Sequence, residues 1–163
     1  MYSQKFLEAV ERVLASEGGL VDDPDDPGGL TNYGISAVAY PEVDVRNLTR
    51  EGAIELYWRD YWQNFELIND GRLARQLLDM AVSAGRTTAI KLLQEAANMF
   101  SWPSLLVDGK MGAKTLAKVN KGHADALVSA YRYKRVSYYL QLAERRPSSR
   151  KFLAGWFGRV ERA

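Results

Sequence analysis

Residues 17–35 of the chain are EGGLVDDPDDPGGLTNYGI, a glutamate followed by two glycines and an acidic loop rich in proline and glycine. Upstream of this stretch, Phe6, Val10 and Val13 recur at helical spacing, which predicts an amphipathic helix that ends at Glu17. Glu17 occupies the next position of the same series, where a core side chain is expected. Partial burial and the negative end of the helix dipole both favour a protonated carboxyl group there. Such a carboxyl can serve as a general acid near neutral pH.

The residues after Glu17 leave more than one interpretation open. Glycines commonly cap helices, and an acidic residue near a helix end is often simply solvated. Asp26 is our candidate for a second polar group, because the loop that carries it can fold back across the helix end. Asp22, Asp23 and Asp25 compete for this role, and any of the four can instead cap a turn. The loop does not fit an EF-hand, whose twelfth position needs a glutamate, so no metal site is predicted.

The composition is that of a soluble globular protein, with 47% hydrophobic and 26% charged residues among 163. The chain has no cysteine, which removes disulfides and thiolate metal sites. Its single histidine, His123, follows Gly122 at a predicted helix start, where we expect a capping or surface role. One imidazole in that position disfavours a catalytic triad and a histidine-based zinc site, and no cofactor is predicted.

Charge is divided unevenly along the chain. Residues 121–163 carry ten lysines and arginines against three acidic residues, whereas residues 1–120 carry a net negative charge. The basic end predicts contact with an anionic partner such as an envelope polymer, although a solvated helix face explains it equally well. The N-terminal helix is interrupted by charges, so we expect neither a secretory signal nor a membrane span.

Periodicity elsewhere predicts an all-α fold. Helices are expected over about residues 3–17, 50–63, 73–84, 87–100 and 125–144, with a short helix at 34–39 and a last one that reaches about 159. A turn at 108–112 opens one more helix, which includes Leu116 and Val119. Alternating β patterns are nearly absent. The sequence Ser101-Trp102-Pro103-Ser104 is the best candidate for a domain boundary. It divides a predicted catalytic domain at 1–100 from a small helical region at 101–163 packed on it.

Polar and aromatic side chains near the loop supply further candidates. Thr31 and Tyr33 carry hydroxyls that can orient a water, a sugar or the Asp26 carboxylate. Tyr61 and Trp62 fall at helical spacing and are expected to lie mostly in the core, but aromatic faces also stack on sugar rings.

These residues closely resemble the signature of glycoside hydrolase family 108, which comprises lysozyme-like muramidases of bacteriophage endolysins and bacterial secretion loci. The resemblance spans nearly the whole chain and is carried by EGG (17–19), DPGGLTNYGI (26–35), YWRDYW (57–62), DMAVSAG (79–85), DGKMGAKTL (108–116) and FLAGWFGRV (152–160). The chain departs from the family at Ser83, where asparagine is usual, and at Ala113, where proline is usual.

The resemblance implies a lysozyme-like helical domain with a small C-terminal peptidoglycan-binding region. It also implies hydrolysis of the β-1,4 bond between N-acetylmuramic acid and N-acetylglucosamine, with Glu17 as the catalytic acid. Asp79 and Ser83 are then predicted to contact substrate together with Tyr61 and Trp62, although the serine weakens any contact assigned to that helix. Retention or inversion at the anomeric carbon depends on a carboxyl separation that the sequence does not fix.

The resulting prediction is a monomeric phage-type endolysin that degrades bacterial peptidoglycan during host cell lysis. We expect it to be made in the host cytoplasm without a signal peptide, to act on the wall from the periplasm, and to depend on a separate holin for access. Two alternatives remain: a lytic transglycosylase, and a non-catalytic wall-binding module. Nucleic acid is not an expected partner, because the basic helices carry no recognition motif.

Overall fold

The computed structural model describes residues 1–22, 29–100 and 102–163 of the chain. Within these residues the protein is mostly helical, as predicted. Its α-helices are α1 (Gln4–Glu17), α2 (Arg50–Tyr57), α3 (Gly71–Ala84), α4 (Arg86–Asn98), α5 (Ala113–Lys121), α6 (Ala124–Arg145) and α7 (Leu153–Arg162). Shorter helical turns cover Val45–Asn47, Trp58–Trp62, Gln63–Leu67 and Pro147–Phe152. None of the helices in the described ranges is both long and apolar enough to cross a membrane.

Helix α1 forms as the apolar series predicts. The Ser3 hydroxyl caps its first turn by accepting a hydrogen bond from the Phe6 amide. Phe6, Val10 and Val13 are buried and pack the helix against α3. The helix ends where Gly18 takes a positive φ of 73°, so Glu17 is its last residue and lies directly before the following loop.

A small antiparallel sheet follows α1, and the sequence prediction missed it. Its strands β1 (Val21–Asp22), β2 (Leu30–Asn32) and β3 (Ile35–Ser36) lie side by side in chain order. Asn32 pairs with Ile35 across a two-residue turn, in which Tyr33 and Gly34 have φ of 52° and 76°. Two consecutive positive φ values define the tight hairpin turn that matches strand twist. The predicted short helix at 34–39 is therefore wrong.

Helix α2 connects this hairpin to the aromatic part of the core. The Thr49 hydroxyl caps its first turn by accepting a hydrogen bond from the Gly52 amide. The helix widens into a π-type turn at Trp58–Trp62, which brings Trp58 and Trp62 against Phe6 of α1. The aromatic turn thus packs on the N-terminal part of α1. The Gly34 turn and Tyr57 lie at its C-terminal end.

The other helices pack around α3. Asp70 caps α3 by accepting from the Arg72 and Leu73 amides, and Gly85, with φ of 85°, ends it. Helix α4 packs on α3 and α6, while α6 also packs on α3 and α7. Helices α6 and α7 lie in the predicted C-terminal region, and they contact the helical core of the N-terminal part directly.

Candidate active site at the end of the first helix

Glu17 is the last residue of α1, and its side chain is only 19% exposed. Oε1 lies 2.6 Å from Nη2 of Arg159 in α7. The two groups form a close ion pair.

Arg159 belongs to a buried network that is closed by Asp79 and Arg135. Nη2 of Arg159 donates to Oδ1 of Asp79 at 2.9 Å, and the other Asp79 oxygen accepts from Arg135. Arg135 is fully buried and also donates to Gln76. Two carboxylates thus oppose two guanidiniums, which compensates the charges where water is excluded.

The charge on Arg159 is secured by its carboxylate neighbours. Burial lowers the pKa of the guanidinium, but the attraction of Asp79 and then of Glu17 outweighs burial and raises the pKa above its usual value. Arg159 therefore presents a permanent positive charge to Glu17.

The opposite side of Glu17 is formed by the turn between β2 and β3. A Cβ added to Gly34 would lie 2.7 Å from Glu17 Cγ and 2.7 Å from the Tyr57 hydroxyl, so only glycine fits there. The Tyr57 hydroxyl donates to the Tyr33 carbonyl at 2.8 Å, which ties the turn to α2. Burial, followed by the Glu17 charge, raises the pKa of Tyr57, so the donor keeps its proton. The turn and Tyr57 together fix the aliphatic part of Glu17.

Two of the other predicted catalytic residues lie on this hairpin. Thr31 is in β2 and pairs with Val21 and Ser36, and Tyr33 is in the turn next to Gly34. Both are half-buried. Asp26 lies outside the residues that the structure describes.

The predicted substrate contacts occupy very different environments. Tyr61 is half-buried, and its ring lies 5.6 Å from that of Tyr57, close to the Glu17 side of the molecule. Trp62 has no exposed surface, and its indole donates to Glu66. A ring without free surface has a packing role and cannot stack on a sugar in this conformation.

The two predictions on α3 differ in accessibility, because Asp79 is buried and Ser83 is exposed. Asp79 is 5% exposed, and both of its oxygens are engaged by arginines. The Ser83 hydroxyl lies 3.0 Å from that of Tyr139 in α6. Asp79 therefore acts through Arg159 in this structure rather than through an open carboxylate.

The sequence interpretation missed Arg135 and Arg159. Arg135 had a detectable signal, because it occupies a core position in the four-residue series of buried side chains Leu127, Tyr131 and Tyr139. The same argument had already selected Glu17. For Arg159 no periodicity carries a comparable signal. Among the residues described, no group of three or more acidic or histidine side chains is arranged to hold a metal ion.

The comparisons with known proteins agree with the architecture. Residues 10–85 match the family model of glycosyl hydrolase 108, and residues 88–161 match the model described as "Predicted Peptidoglycan domain". The solved structure of Brucella abortus SagA is 31% identical, with a TM-score of 0.80, over 96% of this chain and 90% of that one. No curated protein matches the chain. The chain thus belongs to the glycosyl hydrolase 108 family and carries a peptidoglycan domain in its C-terminal half.

Proposed function

We propose that this peptidoglycan hydrolase is an N-acetylmuramidase, and that Glu17 is its general acid. The bond cleaved is the β-1,4 linkage between N-acetylmuramic acid and N-acetylglucosamine. The observation that carries the proposal is the position of Glu17, whose side chain is held between the Gly34 turn and Arg159 rather than extending into solvent. A fixed carboxyl at the end of a helix, next to half-buried hydroxyls and Tyr61, is suited to proton transfer to a sugar oxygen.

In the proposed reaction, protonated Glu17 gives its hydrogen to the glycosidic oxygen as the bond to the anomeric carbon breaks. The carboxylate that remains lies against Arg159, which compensates the new negative charge. Cleavage also leaves positive charge on the sugar ring, which a second polar group must stabilise or a water must quench. Asp26 is the proposed group, assisted by Thr31 or Tyr33 on the hairpin.

The biological setting that we propose is lysis of a bacterial host by a phage-type endolysin. The enzyme would be made in the cytoplasm, reach the periplasmic wall with the help of a holin, and act as a monomer. The basic residues of 121–163 would hold it on an anionic envelope and raise its concentration at the substrate.

The test is Glu17→Gln, which removes the transferable proton and preserves the shape of the side chain. We expect an unchanged circular dichroism spectrum and a loss of about 10²–10⁴-fold in the release of reducing ends from purified sacculi. Glu11→Gln is the matched control, because Glu11 lies on the same helix and pairs with exposed Arg50. Clearing of sacculi by Glu17→Gln at the wild-type rate would refute the assignment.

Mass spectrometry of the released muropeptides tests the type of reaction. Hydrolysis adds one water per bond cleaved, whereas a lytic transglycosylase yields 1,6-anhydro ends without it. Anhydro products from the wild-type enzyme would replace the muramidase proposal with the transglycosylase one. Binding to sacculi without any released fragment would indicate a non-catalytic wall-binding module.

A further inference from the structure

A second feature of the molecule is an arginine-rich pocket of about 280 Å³ between α1, α3 and α7. Its polar lining consists of Arg12, Ser16, Arg75, Asp79, Arg159 and Arg162. Glu17 does not line this pocket, although Arg159 contributes to both places. The pocket therefore lies next to the Glu17 site and shares Arg159 with it.

The charges around the pocket are not balanced. Asp79 is the carboxylate in its lining, and its two oxygens are already engaged by Arg135 and Arg159. Arg12, Arg75 and Arg162 have no Asp or Glu oxygen within 4.0 Å among the residues that the structure describes. The pocket thus gathers three guanidiniums that have no carboxylate partner in the described part of the chain. Arg12 and Arg162 are exposed, and Arg12 donates to the Arg162 carbonyl.

Arg75 shows the electrostatic consequence most clearly. Its Nε is buried without a hydrogen-bond partner in the described part of the chain. Burial, followed by repulsion from Arg12 and Arg132, lowers the pKa of Arg75, and the attraction of Glu8 and Asp70 does not make up for it. A partly buried cation among like charges destabilises the fold unless an anion joins it.

We propose that this pocket binds an oxyanion, a carboxylate or a phosphate, and that Arg159 couples its occupancy to the Glu17 site. Guanidinium groups bind carboxylate and phosphate oxygens through paired, charge-assisted hydrogen bonds. The volume accommodates such a group together with several waters, each of which takes about 30 Å³.

The coupling follows from the contacts of one nitrogen. Nη2 of Arg159 contacts both Oε1 of Glu17 and Oδ1 of Asp79. An anion in the pocket adds a competing acceptor on the Asp79 side, which weakens the hold of Arg159 on Glu17. This part of the inference rests on the proposed role of Glu17, whereas the binding part does not.

Two sources supply this chemistry: free phosphate, and the carboxylates of the peptide stems of peptidoglycan. Titration calorimetry with sodium phosphate, at an ionic strength held constant with sodium chloride, tests binding without any need for catalysis. We expect one phosphate per chain, and at least about tenfold weaker binding by Arg75→Gln and by Arg162→Gln. Lys114→Gln, an exposed change on α5, is the charge-matched control and keeps wild-type affinity.

Folding of the variants is checked in the same samples. Because buried Nε of Arg75 has no hydrogen-bond partner among the described residues, Arg75→Gln should unfold at or above the wild-type temperature in phosphate-free buffer. Phosphate should raise the unfolding midpoint of the wild type more than that of either arginine variant. Phosphate that fails to bind the wild type, or that binds both arginine variants with wild-type affinity, overturns the proposal.

A second titration identifies the source, with Glu17→Gln protein so that the ligand stays intact. A disaccharide with its stem peptide that competes with phosphate, while the peptide-free disaccharide does not, assigns the site to stem carboxylates. Phosphate binding without competition from either disaccharide assigns it to a free anion. If Glu17→Gln proves fully active, the muramidase assignment fails. The phosphate titration still tests whether the pocket binds an anion.

Discussion

Gly34→Ala is the substitution whose effect the structure defines most sharply. The new methyl group would lie 2.7 Å from Glu17 Cγ and 2.7 Å from the Tyr57 hydroxyl, which is closer than carbon atoms approach without displacement. The φ of 76° adds a conformational cost of about 1–2 kcal/mol for a residue with a side chain. Overpacking adds about 1–3 kcal/mol. We therefore expect the free energy of unfolding to fall by about 2–5 kcal/mol.

Substitutions of two other glycines separate the conformational cost from the overpacking cost. Gly29→Ala combines a φ of 61° with only an ordinary contact to Val38, so it should show the conformational cost alone, about 1–2 kcal/mol. Gly19→Ala, next to the same loop, meets no atom within 4 Å at an ordinary φ and should be nearly neutral. Urea denaturation of all three variants measures the differences.

The assay must include activity, because the displaced atoms belong to Glu17. At a temperature where Gly34→Ala remains folded, its rate on sacculi should fall at least about tenfold, since small displacements of a reacting group are costly. Equal stability of Gly34→Ala and Gly29→Ala, together with a wild-type rate, would refute the packing of the hairpin on Glu17.

Substitutions at two further positions, Arg159 and Asp70, test the contribution of charge pairs to stability. Arg159→Met should lower stability by about 3 kcal/mol, the low end for a broken buried pair because Arg135 still holds Asp79. Arg159→Lys keeps the charge and should lose less stability, and a wild-type stability of Arg159→Met in urea denaturation would contradict the buried network. The hydrogen bond from Arg72 lowers the pKa of Asp70 in the folded protein. The stabilisation by this pair is therefore fully present above about pH 4 and is lost as the pH falls through the lowered pKa of the folded state. Asp70→Ala should lower the free energy of unfolding by about 1 kcal/mol at pH 7. Asp70→Asn should retain the helix cap but lose the pH-dependent stabilisation by Arg72. Identical pH dependence of the wild type and Asp70→Asn in urea denaturation would exclude that stabilisation.

The helices were predictable because each carries its own local signals. Ser3, Thr49 and Gly85 mark helix ends in the sequence and do so in the structure. The apolar series of α1 placed Glu17 at the edge of the core, where the structure has it at 19% exposure. These features depend on contacts within one or two helical turns, which periodicity registers directly.

The hairpin was not predictable from alternation. Its strands have two or three residues, too few to show a period of two. The usual signal of the turn is Asn-Gly or Asp-Gly, whereas this turn is Tyr33-Gly34, and a tyrosine at positive φ is uncommon. The Tyr57 hydroxyl stabilises it by binding the Tyr33 carbonyl from a helix that comes 24 residues later. Tertiary contact therefore overrides the local preference.

The site also depends on contacts between distant parts of the chain. Glu17 and Asp79 lie in the segment that matches the hydrolase model, whereas Arg135 and Arg159 lie in the segment that matches the peptidoglycan model. Without the second segment, buried Asp79 would lose both of its guanidiniums, and an unpaired buried charge costs several kcal/mol. Gln76 strengthens the connection by donating to the Val160 and Ala163 carbonyls. The C-terminal half is therefore part of the site itself, because it supplies the charges that contact the carboxylate of α1.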